Sequence, residues 1–377
     1  MYITANCRFP SWSGFDGHGD TGVTGAFDLT AELQAYVRTA GEDGTPLRIA
    51  GSGSKDFYGR STKGEPLDVR GHRGIVEYEP TELVLTARGG TPLAEIESAL
   101  AEHGQMLPFE PPHFGPNATL GGTIACGLSG PRRPYAGAAR DFVLGTRVLT
   151  GTGNVLSFGG QVMKNVAGYD LSRLMCGALG TLGVLLEVSL KVLPRPAEEL
   201  TNSLELSSAE AAEMVGCWST HPLPLSAVCH DGQRLHVRLS GAASAVRAAR
   251  QRIGGEPHPD AENLWRRIRE HRHAFFEAPQ ALWRVSVPAA APDLNLPGRC
   301  LAEWGGAQRW LHSDVAAERI RAAAQRAGGH ATLFRGGDRN GEVFHPLQPS
   351  IAALHRRLKD AFDPKHILNP GRMYADI

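Results

Sequence analysis

Pro46-Leu47-Arg48-Ile49-Ala50-Gly51-Ser52-Gly53-Ser54 runs from a short strand straight into a loop with no bulky side chain. Glycine lets successive N–H groups point together at an anion, and it lets a flat ring approach the main chain closely. One such loop is also what an ordinary turn looks like. Three further corners of this kind follow, all before residue 185. They are Gly89-Gly90-Thr91 at a helix start, Gly121-Gly122-Thr123 with Gly127 close behind, and the segment 177–183, which contains Gly180-Thr181-Leu182-Gly183. Four in one half of a chain suit a large cofactor that carries a diphosphate and two ring systems. Two other phosphate-binding designs fail on spacing. A Rossmann fingerprint needs G-x-G-x-x-G opening a helix, and Gly51-Ser52-Gly53-Ser54-Lys55-Asp56 lacks the third glycine. The Walker pattern G-x-x-x-x-G-K-[ST] does not occur.

The whole chain narrows the classes further. Its 377 residues allow two or three domains, and 42% hydrophobic residues allow a sizeable core. Lys+Arg and Asp+Glu are both 39, so the surface is not a general nucleic-acid glove. Gly 45 and Pro 25 point to a loop-rich protein rather than a helical bundle. Six cysteines, at 7, 126, 176, 217, 229 and 300, include no CxxC pair. The clustered thiolates of an iron–sulfur centre or structural zinc site are therefore not expected on this chain, nor is any other metal site. The first ten residues do not read as a leader. The most apolar stretch, 179–193, is broken by Thr181, Glu187, Ser189 and Lys191 and is too short to span a bilayer. The expected location is cytoplasmic, with contact to the inner membrane only through partners.

Periodicity predicts an α+β chain. Leu29, Leu33, Tyr36 and Val37 mark a helix over 30–40. Strands are predicted at 46–50, 74–78 and 83–87. A helix follows, with Thr91 as cap, Pro92 at its first position and Gly104 at its stop. The Pro- and Gly-dense stretch 110–137 reads as a long loop. Residues 142–150 and 154–158 read as a hairpin, and 183–193 as one alternating strand. Pro194-Arg195-Pro196 marks a boundary. Beyond it, helices are predicted at 209–218, 242–253, 262–276 and 314–327, and strands at 225–229, 234–239, 282–287 and 299–304. A last helix, 349–362, leads into a rigid tail. The division expected is 1–195, a small α+β module at 196–340, and a tail at 341–377 that folds back on the first part.

Arg48-Ile49-Ala50-Gly51-Ser52-Gly53-Ser54, Ala118-Thr119-Leu120-Gly121-Gly122-Thr123 and Gly177-Ala178-Leu179-Gly180-Thr181-Leu182-Gly183 resemble three segments of the vanillyl-alcohol-oxidase-like (PCMH-type) FAD-binding superfamily. The segments 127–135 and 159–170, with the tail 362–374, resemble the FAD-binding subunits of bacterial glycolate oxidases. The resemblance is close over 46–196, good over the last ~45 residues and weak between them. It implies a two-part PCMH-type FAD-binding domain. Gly51, Ser52, Gly53, Ser54 and Lys55 would face the diphosphate, and Gly121, Gly122, Thr123 and Gly127 the flavin side. Gly180, Thr181, Gly183 and Val184 would meet the flavin or ribityl region. It further implies oxidation of glycolate to glyoxylate by hydride transfer to flavin. The implied partners are a second flavoprotein subunit and an iron–sulfur subunit.

Departures from the family's pattern shape the remaining expectations. Positions 51–55 hold no histidine, so the FAD is expected to be non-covalent. The segment 335–341 lacks the metal-ligand histidines of related hydroxy-acid dehydrogenases. A 2-hydroxy acid needs a cation for its carboxylate and a base for its hydroxyl proton. Arg335 and His345 are the catalytic candidates, against the plainer reading of a surface arginine and a packed histidine. Lys164 and Asn165 are read either as diphosphate neutralisers or as parts of a turn. Tyr135 and Tyr169 are read as ring-stacking residues or ordinary aromatics. His18 is read as part of a mobile loop, and the basic run 266–272 as a solvated helix face or a subunit contact rather than a nucleic-acid footprint. Two other functions stay open: a self-sufficient D-lactate or other 2-hydroxy-acid dehydrogenase, and a flavin-carrying structural subunit whose partner performs hydride transfer.

Overall fold

The computed structural model describes residues 27–160 and 170–377. His18, Lys164, Asn165 and Tyr169 lie outside the described residues. Two large sheets draw on separate stretches of chain. A five-stranded antiparallel sheet has the order Ile75–Glu79, Val84–Arg88, Val184–Lys191, Val143–Leu149, Val155–Gly159. Its central strand is buried on both sides because both faces are covered. Leu185, Val188 and Leu190 pack with Leu93, Ile96 and Leu100 of helix Leu93–Glu102. Val184 and Leu186 pack with Leu33 and Val37 of helix Thr30–Asp43 and with Ile367 and Leu368 of the tail. A simple alternation over 183–193 would place Val184, Leu186, Val188 and Leu190 on one face. The register slips where Arg147 pairs with Glu187 but Val148 pairs with Leu185. The extra residue is a bulge, which exchanges the faces and lets one strand serve two cores.

The second sheet has eight strands, in the order Glu256–Pro257, Glu198–Glu205, Arg234–Gly241, Leu225–His230, Arg299–Glu303, Gln308–His312, Leu282–Ser286, His330–Arg335. Val228, Val237 and Leu239 on its outer face pack with Ala211, Val215, Val246 and Ile253 of helices Ser208–Ser219 and Ala243–Ile253. The inner face presents Ala227, Cys229, Leu301, Trp310 and Phe334 to Tyr58, Leu128 and Leu179 of the N-terminal half.

Several expectations need correction. Pro92 is the N-cap rather than the first helical residue, and the Thr91 hydroxyl instead bonds Gly74 N–H at 2.9 Å. The stretch 110–137 is not all loop, since it contains helix Leu120–Cys126 and the single-turn helix Arg133–Ala136. A seven-residue helix is too short to show a periodic stripe. The helix expected over 262–276 stops at Arg269, because His271 takes φ 52° and stacks flat on Phe276 with centroids 4.0 Å apart. Strand Glu198–Glu205 carries no apolar alternation, and its buried polar groups explain why it still forms. Thr201 Oγ1 accepts from Trp265 Nε1 at 2.9 Å, Asn202 Nδ2 donates to Gly254 O at 2.6 Å, and Ser203 Oγ lies 2.8 Å from His236 Nδ1. Among the described residues no helix is long and apolar enough to cross a membrane.

Candidate functional site

Three of the glycine corners meet around one cleft of about 290 Å³. Gly51, Ser52, Gly53, Ser54 and Lys55 line it from the loop after strand Leu47–Ala50. Gly121 and Gly122 line it from the start of helix Leu120–Cys126, which Thr119 caps by accepting from Gly122 N–H at 3.3 Å. Gly180, Gly183 and Val184 complete it ahead of the central strand. Gly53 and Gly180 hold φ of 76° and 72°, where a side chain is strained. A Cβ on Gly180 would also lie 2.7 Å from Asn369 Nδ2. The Gly89-Gly90 corner packs main chain on main chain instead, since a Cβ on Gly89 would stand 2.1 Å from Leu185 O.

Thr123, Gly127 and Thr181 do not line the cleft. Thr123 is fully buried inside its helix, and Gly127 ends that helix with φ 61°. Thr181 turns its hydroxyl back to Ala178 O at 2.7 Å. Sequence reasoning missed Arg48, Thr119, Asn369 and Arg372, all of which line the cleft. The last two belong to the tail motif, but no local pattern can bring position 369 beside position 49.

Cations gather at the Gly51–Ser54 end. Lys55, 7% exposed, donates from Nζ to His113 O at 3.2 Å, and burial lowers its pKa. Arg372 donates to Arg60 O at 2.9 Å and to Asp56 O at 3.1 Å, and burial lowers its pKa too. Arg48 stands 3.9 Å from Asp56, the acidic residue of this rim. Desolvated cations beside a side-chain-free loop favour a polyanion, whose charge would offset their burial. The cleft's open glycine walls and this charge therefore fit a dinucleotide diphosphate.

The FAD binding domain family matches residues 27–159, and the family of FAD linked oxidases, C-terminal domain, matches 336–373. The glycolate oxidase subunit GlcE of Escherichia coli (strain K12) is 53% identical over 350 residues, 93% of this chain and 99% of that protein. The chain belongs to the GlcE family of glycolate oxidase subunits. It is an FAD-dependent oxidoreductase of the PCMH-type FAD-binding family. The glycolate oxidase subunit GlcD of Bacillus subtilis (strain 168) is 31% identical over 174 residues, covering 46% of this chain but only 37% of that protein. The fold is also that of p-cresol methylhydroxylase, with a TM-score of 0.67 at 14% identity over 92% of this chain and 87% of that one.

Beyond the cleft, towards the second sheet, the GlcE-family chain is filled with rings. Cys126 lines the cleft, and Leu128 lines a separate polar cell of about 20 Å³, room for one water molecule. His271, Arg284, Glu303, Gln308, Trp310 and Phe334 also face this cell. Arg284 Nε donates to Gln308 Oε1 at 2.7 Å, and Glu303 Oε2 accepts from Trp310 Nε1 at 2.6 Å and Gln308 Nε2 at 3.2 Å. Burial pushes the Glu303 carboxyl up to about 7 despite these donors. Burial, with Arg335 and Arg284 nearby, holds His271 neutral well below the usual histidine range. Arg335 lies over Phe57 at 4.4 Å and Phe114 at 5.5 Å, outside the cleft lining. His345 is not in the lining either: its Nδ1 lies 3.4 Å from Ala331 N–H, and its carbonyl accepts from the Tyr374 hydroxyl at 3.2 Å. Tyr135 is likewise outside it, while the neighbouring Arg132 bonds Glu199 at 2.5 Å and joins the two halves. Among the described residues no group of three or more His, Cys, Asp or Glu side chains could hold a metal.

Proposed function

We propose that this chain holds FAD non-covalently in the cleft, with the diphosphate against Gly51–Ser54, as one subunit of an enzyme that oxidises glycolate to glyoxylate. The observation that carries this reading is the convergence of three glycine corners and three cations on one cleft. Bound FAD supplies a two-electron acceptor for the hydride on the hydroxy acid's Cα. Lys55 and Arg372 neutralise the diphosphate. Thr119 fixes the first turn of the helix whose glycines form one wall. The proposed division is 1–195, 196–340 and 341–377, since the large sheets fall within 75–191 and 198–335. The proposed partners are a second flavoprotein subunit and an iron–sulfur subunit that takes the electrons onward.

A second reading places hydroxy-acid oxidation on the partner flavoprotein, with this chain's FAD as an intermediate electron carrier. The packed side chains between the cleft and the second sheet, which leave about 20 Å³ there, support it. If the acid does enter this chain, Arg335 and His345 are the proposed cation and base.

The experiment starts from the purified chain. A flavin spectrum, with the flavin released to the supernatant by acid precipitation, supports non-covalent binding. Glycolate is then added without oxygen. Bleaching by the isolated chain favours oxidation here. Bleaching only after the partner flavoprotein is added favours the second reading. A stronger response to D-lactate than to glycolate would replace the substrate. A chain that takes up no FAD, alone or in complex, ends the proposal.

A further inference from the structure

One tail side chain joins two of the cleft's loops. Asn369 Oδ1 accepts from Ile49 N–H at 2.8 Å, and its Nδ2 donates to Leu179 O at 2.7 Å. Ile49 lies two residues before Gly51, and Leu179, itself at φ 53°, directly precedes Gly180. The Asn369 main chain adds to the same strand, since its N–H donates to Leu47 O at 2.8 Å and Leu47 N–H donates to Ile367 O at 2.7 Å. Behind it sits Lys359, with none of its surface exposed. Its three protons have three acceptors: Thr181 O at 2.8 Å, Leu368 O at 2.7 Å and Asp363 Oδ2 at 2.7 Å. Asp363 also accepts from Ile367 N–H at 3.1 Å and Leu368 N–H at 2.7 Å.

A buried ion pair is a weak source of net stability, and apolar residues of the same volume often do as well. A pair whose hydrogen bonds converge on the peptide segment beside it instead fixes where that segment lies. We infer that Asn369 is a positioning residue for FAD. Its carboxamide sets the separation of the Gly51–Ser54 and Leu179–Gly183 loops, and the Lys359–Asp363 pair holds the tail in the register this requires. The inference rests on the reading that FAD occupies the cleft, and it adds that the cleft is shaped from the far end of the chain.

The test titrates FAD into the full-length apo-protein and reads the quenching of flavin fluorescence, with far-UV circular dichroism and urea unfolding as checks of folding. Asn369→Ala is expected to fold and to raise the Kd for FAD about tenfold or more, as two directed hydrogen bonds are lost. Asn369→Asp keeps the shape but cannot donate to Leu179 O while ionised. Its affinity should be as poor as that of the alanine variant at neutral pH. It should recover toward the wild-type value at the same pH as acid protonates the carboxyl. This titration decides the question even if the alanine variant does not fold. A wild-type Kd in folded Asn369→Ala, or no recovery of Asn369→Asp with acid, overturns the inference. Gly53→Val is the control: if it also keeps wild-type affinity, the cleft itself is misread, whereas its failure alone leaves the cleft reading standing and sinks only the role of Asn369.

Discussion

The glycine-walled cleft and the polar cell lie on either side of Cys126–Leu128, yet they are built by opposite means. The cleft is walled by main chain, with glycines at left-handed corners and cations at one end, and it leaves about 290 Å³ open. The cell is walled by Trp310, Phe334, His271 and Phe114, and it leaves about 20 Å³. Removing side chains makes room for a ligand, and packing rings together removes it. Around the cell, Phe57, Phe114, His271, Phe276, Trp310 and Phe334 stand in mutual edge and face contact. The open cleft suits the proposed cofactor, and the packed rings join the second sheet to the N-terminal half.

Substitutions can break or sharpen that contrast. The largest effect is expected at Gly53, where a β-branched residue at φ 76° must rearrange the loop. Gly53→Val should lose FAD altogether, measured as flavin absorbance per protein after gel filtration, while the second sheet stays folded. Next is Glu110, which joins the halves by accepting from Arg132 Nε at 3.2 Å and pairing with Arg238 at 2.8 Å. Burial opposes its charge, but the two guanidinium groups outweigh burial and hold the carboxyl below its usual range. Glu110→Leu leaves both arginines without this partner and should destabilise by about 3–5 kcal/mol in urea unfolding.

A smaller effect concerns pH. The Glu303 carboxyl rises from 4.5 to about 7 on folding, so the native state holds its proton more tightly than the unfolded chain. Its contribution is full below pH ~4.5 and is lost as pH climbs through ~7, by at most about 3 kcal/mol. Glu303→Gln should flatten this part of the stability profile, and an unchanged slope would show that Glu303 is ionised in its cell. The smallest effect is expected at Arg335. If hydroxy acids do not enter the ring-filled side, Arg335→Leu should change the KM for glycolate of the assembled enzyme by less than about twofold. A tenfold rise would put the carboxylate on Arg335 and dissolve the contrast between the two regions.

Much of the cleft is legible in the sequence, because its signal is local. Gly51-Ser52-Gly53-Ser54 and Gly121-Gly122 need their neighbours in sequence only, and both line the cleft. Thr123 and Thr181 share those motifs but face inward, since a motif says which loop matters and not which way each side chain turns. Strand Glu198–Glu205 is invisible there because its interior is Thr201, Asn202 and Ser203, polar residues that a strand buries only when partners such as Trp265 and His236 already wait there. The bulge at Leu186 is equally hidden, because alternation in one strand does not report the register of the next.

Sequence alone therefore determined the α+β class and the glycine corners that line the cleft, because backbone freedom and short-range spacing are properties of adjacent residues, while its family motifs pointed to FAD. Tertiary structure alone decided that Asn369 and Arg372 complete the cleft, that Arg335 and His345 stand outside it, and that aromatic rings close the side facing the second sheet. Those outcomes depend on contacts between residues as much as 320 positions apart, which the packing of the two sheets and the return of the tail create.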